Sequence, residues 1–344
     1  MIKVLIVMYG EGATDYFRMG WPAKHVHKNH GDEIQVVLMK NEFDPWDVAT
    51  LKRFDIIHFH KYFGRYESSK ELWGKLQAHG VKMVMDLDDY WEWPDSMPIT
   101  KIMKMDGVHG RELENLKLAD YVTTTTRHLA KLISEHNENV MVLPNGLDMK
   151  HPMWADTPNP SEVLRIGWLG SMQRNHDLEI LRKGIQMLYS DADLEGKFML
   201  MLTGSEEENS DIFEGPGYIK REGAIAPSYG YLYNDIDICL APLQESVFNS
   251  CRSELKYIEA GTKKKVFIGQ NHTPYAEDIE HGVTGMLVDK PEEWYSCLRE
   301  VILNKELRDR LRLSLHELVK DKFDIKNLAR QRVQFYKSIC NDRD

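Results

Sequence analysis

The stretch from Asp235 to Leu287 constrains the fold more than any other. Asp237–Ala241 is a short apolar run with the character of a buried strand, and Pro242 ends it in a polar loop. Ser253 then stands where it can cap a helix whose first turn carries Glu254, with Glu259, Ala260 and the terminating Gly261 at its end. Val266–Gly269 is a second apolar run, followed by another helix and a Gly-Val-Thr-Gly turn. Strand, loop, helix and strand in that order specify a parallel pair with a crossover helix, and so an α/β chain. In open parallel sheets the loops after the strands hold the ligand, and helix N-termini offer N–H groups to an anion. Arg252 and Lys256 flank the helix start, which suits a phosphate. Glu259 lies two turns after Arg252 on roughly the same face, where a carboxylate can take both hydroxyls of a ribose. A solvated helix face would carry the same residue types, and spacing alone does not choose between the two.

Phe248-Asn249, Arg252-Ser253, Lys256, Ile258-Glu259-Ala260-Gly261, Val266, Glu277, Ile279, Gly282 and Gly285 carry a resemblance. Together they resemble the donor-site signature of retaining glycosyltransferases in the broad family-four class. The resemblance implies the GT-B fold, two Rossmann-like domains with parallel sheets facing across a cleft. It also implies a nucleotide-sugar donor, a UDP- or GDP-sugar, with Asn249, Ser253 and Glu259 among its contacts. Such enzymes often carry an acidic pair spaced E-x7-E. Here Glu259 is the second member, while the first falls on Cys251, leaving Glu245 or Asn249 as substitutes.

At 344 residues the chain exceeds one ordinary domain. The expected division is an N-terminal acceptor-side domain (1–150), a proline-bearing linker (151–162), a C-terminal donor domain (163–320) and a last helix (321–344) crossing back to the first domain. No apolar run reaches the roughly 18 residues that a spanning helix requires. The opening MIKVLIVMYGEG reads as a core strand rather than a signal peptide, because a polar loop follows where a small-residue cleavage site would stand. Four scattered cysteines show no metal spacing and suit a reducing cytoplasm, that of a host if the chain is viral. A formal charge of −10 argues against a generally basic nucleic-acid or membrane coat.

In the first half, Gly10 and Gly12 follow the first strand and let backbone approach a ligand closely. By resemblance this loop faces the cleft near the donor phosphates, with Arg18 on the following helix. His58 and His60 alternate on a strand and share a face; a metal there lacks a third ligand. Asp86-Leu87-Asp88-Asp89 follows the next strand and has the Asp-x-Asp form used for metal–diphosphate binding on another fold. In the wrong half for the donor signature, it reads instead as cleft carboxylates, Asp88 toward the chemistry and Asp89 toward acceptor hydroxyls. Tyr90, Trp91 and Trp93 add aromatic faces that suit a sugar ring or a nucleobase, and also suit a plain hydrophobic anchor. Arg18, His60, Asp89, Trp91 and Trp93 are the acceptor candidates.

In the second half, Leu164–Leu169 runs into Gly170-Ser171 and a polar loop with Arg174, a place for a diphosphate. Thr203-Gly204 ends the next strand, where the resemblance puts the base edge. Arg174, Arg252, Lys256 and Asp88 form the catalytic set, with no metal and no cofactor beyond the donor. The acceptor is a glycan, a lipid-linked sugar or a hydroxylated DNA base. The rival readings are an epimerase or phosphorylase on the same scaffold, and a non-catalytic module suggested by the missing first acid.

Overall fold

The computed structural model describes residues 1–10, 12–40, 48–64, 69–95, 97, 100–170, 172–204 and 210–341, with backbone alone at 69, 172–175 and 210. Twelve strands are described, in two parallel sheets. The first sheet holds β1 (Ile2–Met8), β2 (Ile34–Lys40), β3 (Ile56–His60), β4 (Lys82–Leu87), β5 (Tyr121–Thr124) and β6 (Val140–Val142), ordered β2-β1-β3-β4-β5-β6. The second holds β7 (Leu164–Leu169), β8 (Phe198–Thr203), β9 (Ile219–Arg221), β10 (Ile238–Ala241), β11 (Val266–Gln270) and β12 (Met286–Val288), ordered β12-β11-β10-β7-β8-β9.

Strands covered on both faces read as unbroken apolar runs. In β1, Leu5 and Val7 enter one core while Val4 and Ile6 enter another on the opposite face. Strand order reverses between β1 and β3 in the first sheet and between β7 and β10 in the second. Those are the crevices where such sheets bind ligands.

The helix after β1 opens as a π-turn over Asp15–Gly20 before continuing as α-helix over Trp21–His30. π-Turns of this kind are frequent at functional sites. The helix Ile325–Asn341 packs against Trp21–His30 and β1, placing Val333, Tyr336 and Ile339 against Val4 and Ile6. Its entry is pinned beside the linker, since Leu147 donates to Phe323 O at 3.1 Å and Ile325 donates to Leu147 O at 3.1 Å. No helix among the described residues is long and apolar enough to cross a membrane.

Three local expectations are corrected. Ser253 does not cap the following helix, which spans Leu255–Thr262 from Glu254 without a side-chain cap. The capping serine is Ser246, whose hydroxyl accepts from Asn249 N at 3.1 Å ahead of the short helix Val247–Ser250. Gly261 lies within its helix rather than ending it, and the segment after β11 forms only a 3-10 turn at Tyr275–Glu277.

Candidate active site

Where β7 and β8 end, two glycines are set by a close approach of neighbouring loops. Gly204 has φ +81°, and a Cβ there would lie 2.1 Å from Gly170 O. A Cβ on Gly170 would lie 2.1 Å from the Trp168 ring, and Gly170 N donates to Thr203 O at 3.1 Å. Any side chain would force these loops apart. Lys256 reaches this point from the next helix, donating to Leu169 O and to Tyr229 Oη at 2.8 Å. Burial opposes its charge, but Tyr229 and Glu259 outweigh that and hold its pKa above the usual lysine value. A fixed cation therefore stands beside Gly170. Ser171 lies outside the described residues, as does the side chain of Arg174.

The loop after β10 is tied to the segment after β7 through Asp177. This buried carboxylate accepts from Gln244 N at 2.8 Å and from Asn249 Nδ2 at 2.9 Å. Asn249, 2% exposed, is thus a clip between loops rather than an open contact for a donor. Glu259, 3% exposed, accepts from the Tyr233 hydroxyl at 2.6 Å and lies 4.0 Å from Lys256 Nζ. It braces the lysine from beneath and does not present its carboxylate to a ribose. Ser253 is half-buried at the start of the helix. Cys251, at the place of the first acid, is fully buried in the core of the first domain, where burial pushes its thiol up to about 12.

Contacts of this loop cross the cleft. Arg252 stacks on Phe248 at 5.3 Å and stands 3.9 Å from Asp89 of the first domain, while Phe248 meets Trp93 at 5.6 Å between ring centroids. Phosphate-suited groups and acceptor candidates therefore meet across the cleft.

On the acceptor side, two backbone donors of the loop after β1 are taken by its own chain. Asp15 accepts from Tyr9 N at 2.7 Å and Gly10 N at 3.1 Å, which removes the Gly10 amide from the groups open to a ligand anion. Gly12 sits beside the same carboxylate. Arg18 is neither exposed nor turned to a ligand. At 1% exposure it donates to both oxygens of Asp86 at 3.0 and 2.8 Å and to Leu143 O at 2.7 Å. Burial opposes ionisation of Asp86, but Arg18 prevails and holds it below the usual carboxylate range. Trp91 is likewise a core residue, 5% exposed, edge-on to His136 and packed on Tyr90.

The remaining candidates converge. His60 Nε2 lies 3.0 Å from Asp88 Oδ1, and Lys61 Nζ lies 3.5 Å from the same oxygen. Burial works against Asp88, yet Lys61 and His60 hold it far below the ordinary carboxylate range, so it stays ionised. Lys61 has φ 56° at the end of β3, a conformation that costs a non-glycine residue and often marks a site. Its ammonium also faces Glu112 Oε1 at 3.9 Å, which accepts from the Tyr62 hydroxyl at 2.9 Å. His60, Lys61, Tyr62, Trp93 and Glu112 line a cavity of about 470 Å³ with Tyr9 at its rim. Both carboxylates of Asp-x-Asp are thus matched by cations, and no cluster suited to a metal occurs among the described residues.

Asp15, Lys61, Glu112, Asp177 and Tyr233 were not foreseen. Lys61 follows directly on a strand-ending histidine, a legible cue. Glu112 and Asp177 sit within helical segments, where an acidic residue is ordinary and carries no signal.

No family model matches the chain, and no curated protein matches its sequence. Solved structures do match over nearly their full length. Sucrose-phosphate synthase from Thermosynechococcus elongatus superposes with TM-score 0.69 at 13% identity, covering 99% of this chain and 100% of that one. HepE from Anabaena, in complex with UDP and glucose, gives TM-score 0.66 at 14% identity over 98% and 100%. A glycosyltransferase from Rickettsia africae gives 0.65 at 14% over 98% of each chain. Together with two six-stranded parallel sheets facing across a cleft, this likeness establishes that the chain has the GT-B fold.

Proposed function

We propose that the chain is a glycosyltransferase that moves a sugar from a UDP- or GDP-sugar to a hydroxyl acceptor. The donor lies against the second sheet and the acceptor against the first. The observation that carries this is the meeting of Arg252 with Asp89 at 3.9 Å, beside a cavity lined by His60 and Trp93. As the glycosidic bond opens toward an oxocarbenium-like state, charge collects on the departing diphosphate. Arg252, Lys256 and Arg174 supply the compensating charge. The pairing of Asp86 with Arg18 and of Asp88 with Lys61 supports transfer without a metal. Retention of anomeric configuration follows the family resemblance, and the anomeric coupling constant of the product reads it directly.

A thermal-shift panel of nucleoside diphosphates and nucleotide-sugars is the first test. At a hundred times its Kd one ligand stabilises by about 2.7 kcal/mol, and a shift confined to one base names the donor. Arg252→Ala should lower kcat roughly 100-fold with little change in nucleotide affinity. An unaltered kcat in that variant sinks the assignment. Phosphate-dependent turnover would move the reading to a phosphorylase, and binding without turnover to a non-catalytic module.

A further inference from the structure

The amino ends of β7, β10 and β11 lie at the opposite end of the second sheet from its crevice, and they frame a cavity of about 270 Å³. Lys305, Arg308 and Arg312 reach it from one face of the helix Lys305–Lys322. Each carboxylate in its wall is matched by a cation. Asp237 accepts from Arg165 Nε at 3.2 Å and Nη2 at 3.1 Å, Asp309 accepts from Arg312 Nε at 2.9 Å, and Asp156 lies 3.9 Å from Lys264 Nζ. That leaves Lys265, Lys305 and Arg308 with no carboxylate at ion-pair distance among the described residues. Lys305 is exposed, whereas Lys265 is 3% exposed and donates to Thr157 O at 3.0 Å. Arg308 donates from Nη1 to Val301 O and Ile302 O at 2.8 and 2.7 Å. Its Nε and Nη2, like both Nη atoms of Arg312, have no partner among the described residues and are open to solvent. Burial lowers the pKa of Lys265 against Asp237 and Asp156, and that of Arg308 against Asp309, Asp237, Glu306 and Glu162, so the nearby acids do not offset the cost of either charge. Like charges three and four apart on a helix repel, and Lys305, as the first helical residue, also opposes the helix dipole. An anion in the cavity relieves both.

We propose that this cavity is a second ligand site, separate from the crevice, and that it takes a phosphate group as its dianion. Arg308 and Arg312 present N–H groups to the phosphate oxygens, and Lys305 adds charge from the exposed edge. The inference goes beyond the glycosyltransferase reading and does not depend on it.

Size and lining select the class. At about 270 Å³ the cavity falls below the roughly 300–1,000 Å³ usual for drug-sized ligands, so it suits a phosphate headgroup rather than a whole nucleotide. No aromatic side chain among the described residues lines it, so a nucleic-acid strand finds no platform for its bases. A carboxylate brings a single charge to cations that lack a partner. A phosphate brings two, with oxygens enough for both arginines and the lysine.

The test is calorimetric titration of the full chain with inorganic phosphate, with glycerol 3-phosphate and acetate as further probes. Phosphate and glycerol 3-phosphate are expected to bind, and acetate far more weakly. Lys305→Glu should weaken phosphate roughly tenfold, as the loss of a charged hydrogen bond does, and Arg308→Gln by as much. Arg308 also holds the end of the helix Glu293–Leu303, so Lys305→Glu is the variant that separates a lost site from a lost fold. Without phosphate its urea midpoint should equal or exceed that of the wild type, because an acid suits the first turn of a helix. Arg252→Ala, in the crevice, should leave phosphate affinity unchanged. Cosedimentation with phosphatidylcholine vesicles only when they carry phosphatidic acid identifies a lipid headgroup, and phosphate binding without it identifies a soluble phosphate; either result supports the site. The proposal is overturned if the wild type binds no phosphate, or binds it no tighter than Lys305→Glu does. Acetate binding as tightly as phosphate overturns it too, as does loss of phosphate binding in Arg252→Ala alone.

Discussion

Glu254 shows how one side chain can tie the two domains to pH. It opens the helix Leu255–Thr262, is 4% exposed, and its Oε2 has no partner among the described residues. Arg18 of the first domain acts on it electrostatically, as do Asp278 and Lys322 of the second. Burial pushes its carboxyl up to about 7, with Arg18 opposing. A raised carboxyl pKa favours the neutral form in the folded state. Its contribution is therefore fully present below the unfolded value near 4.5 and is lost as pH rises through about 7. The magnitude is on the order of 3 kcal/mol. Glu254→Gln should flatten stability between these two pH values, measured as urea midpoints across the range; a wild-type slope in the variant would refute the assignment. In the sequence Glu254 reads as an ordinary first-turn acid, because nothing local reveals that the fold buries it within reach of the charge on Arg18, far off in the chain.

At the scale of elements, Gly261 separates what a local signal says from what packing demands. A glycine after apolar helical residues signals a stop, yet the helix continues through it to Thr262. A Cβ there would lie 2.7 Å from Val319 Cγ2, 2.9 Å from Leu315 Cγ and 3.1 Å from Leu315 O. The glycine lets the helix Lys305–Lys322 press directly against Leu255–Thr262. Alanine would gain up to about 1 kcal/mol of helix propensity but would overpack a contact that includes backbone, at about 1–3 kcal/mol. Packing wins, so Gly261→Ala should lower the urea midpoint by a net cost of roughly 1–2 kcal/mol. An unchanged or higher midpoint would show that the two helices can separate without penalty. The strands were legible because double burial leaves unbroken apolar runs, and the loops after β7 and β8 were legible through their glycines. The clip from Asp177 to Asn249 was not, since it joins loops 72 residues apart.

For the whole molecule, the decisive element is the last helix. Ile325–Asn341 follows the second sheet in sequence but completes the core of the first, and its Tyr336 and Arg332 hold His58 at 2.7 and 3.3 Å. Removing it would expose Val333, Phe335, Tyr336 and Ile339, at about 1.5–3 kcal/mol each. That sum rivals the roughly 5–15 kcal/mol that holds a typical domain folded. A chain ending at Asp324 should therefore lose protease resistance in its first half while the second half persists, and equal resistance of both halves would contradict this. Apolar runs and strand-ending glycines determined by themselves that the chain is α/β with parallel strands, because those patterns follow from burial and backbone geometry within a few residues, while the division into two sheets was what the resemblance implied. Residue types at and after strand ends also marked His60, Asp88 and Trp93 as candidates, and those around a helix start marked Arg252 and Lys256. Only the tertiary structure decided that Arg18, Trp91, Asn249 and Glu259 are spent on internal partners, and that Lys61 and Glu112 line the cavity. The physical reason is that a polar side chain's partner is set by which segments fold against it, and neither residue type nor spacing records that.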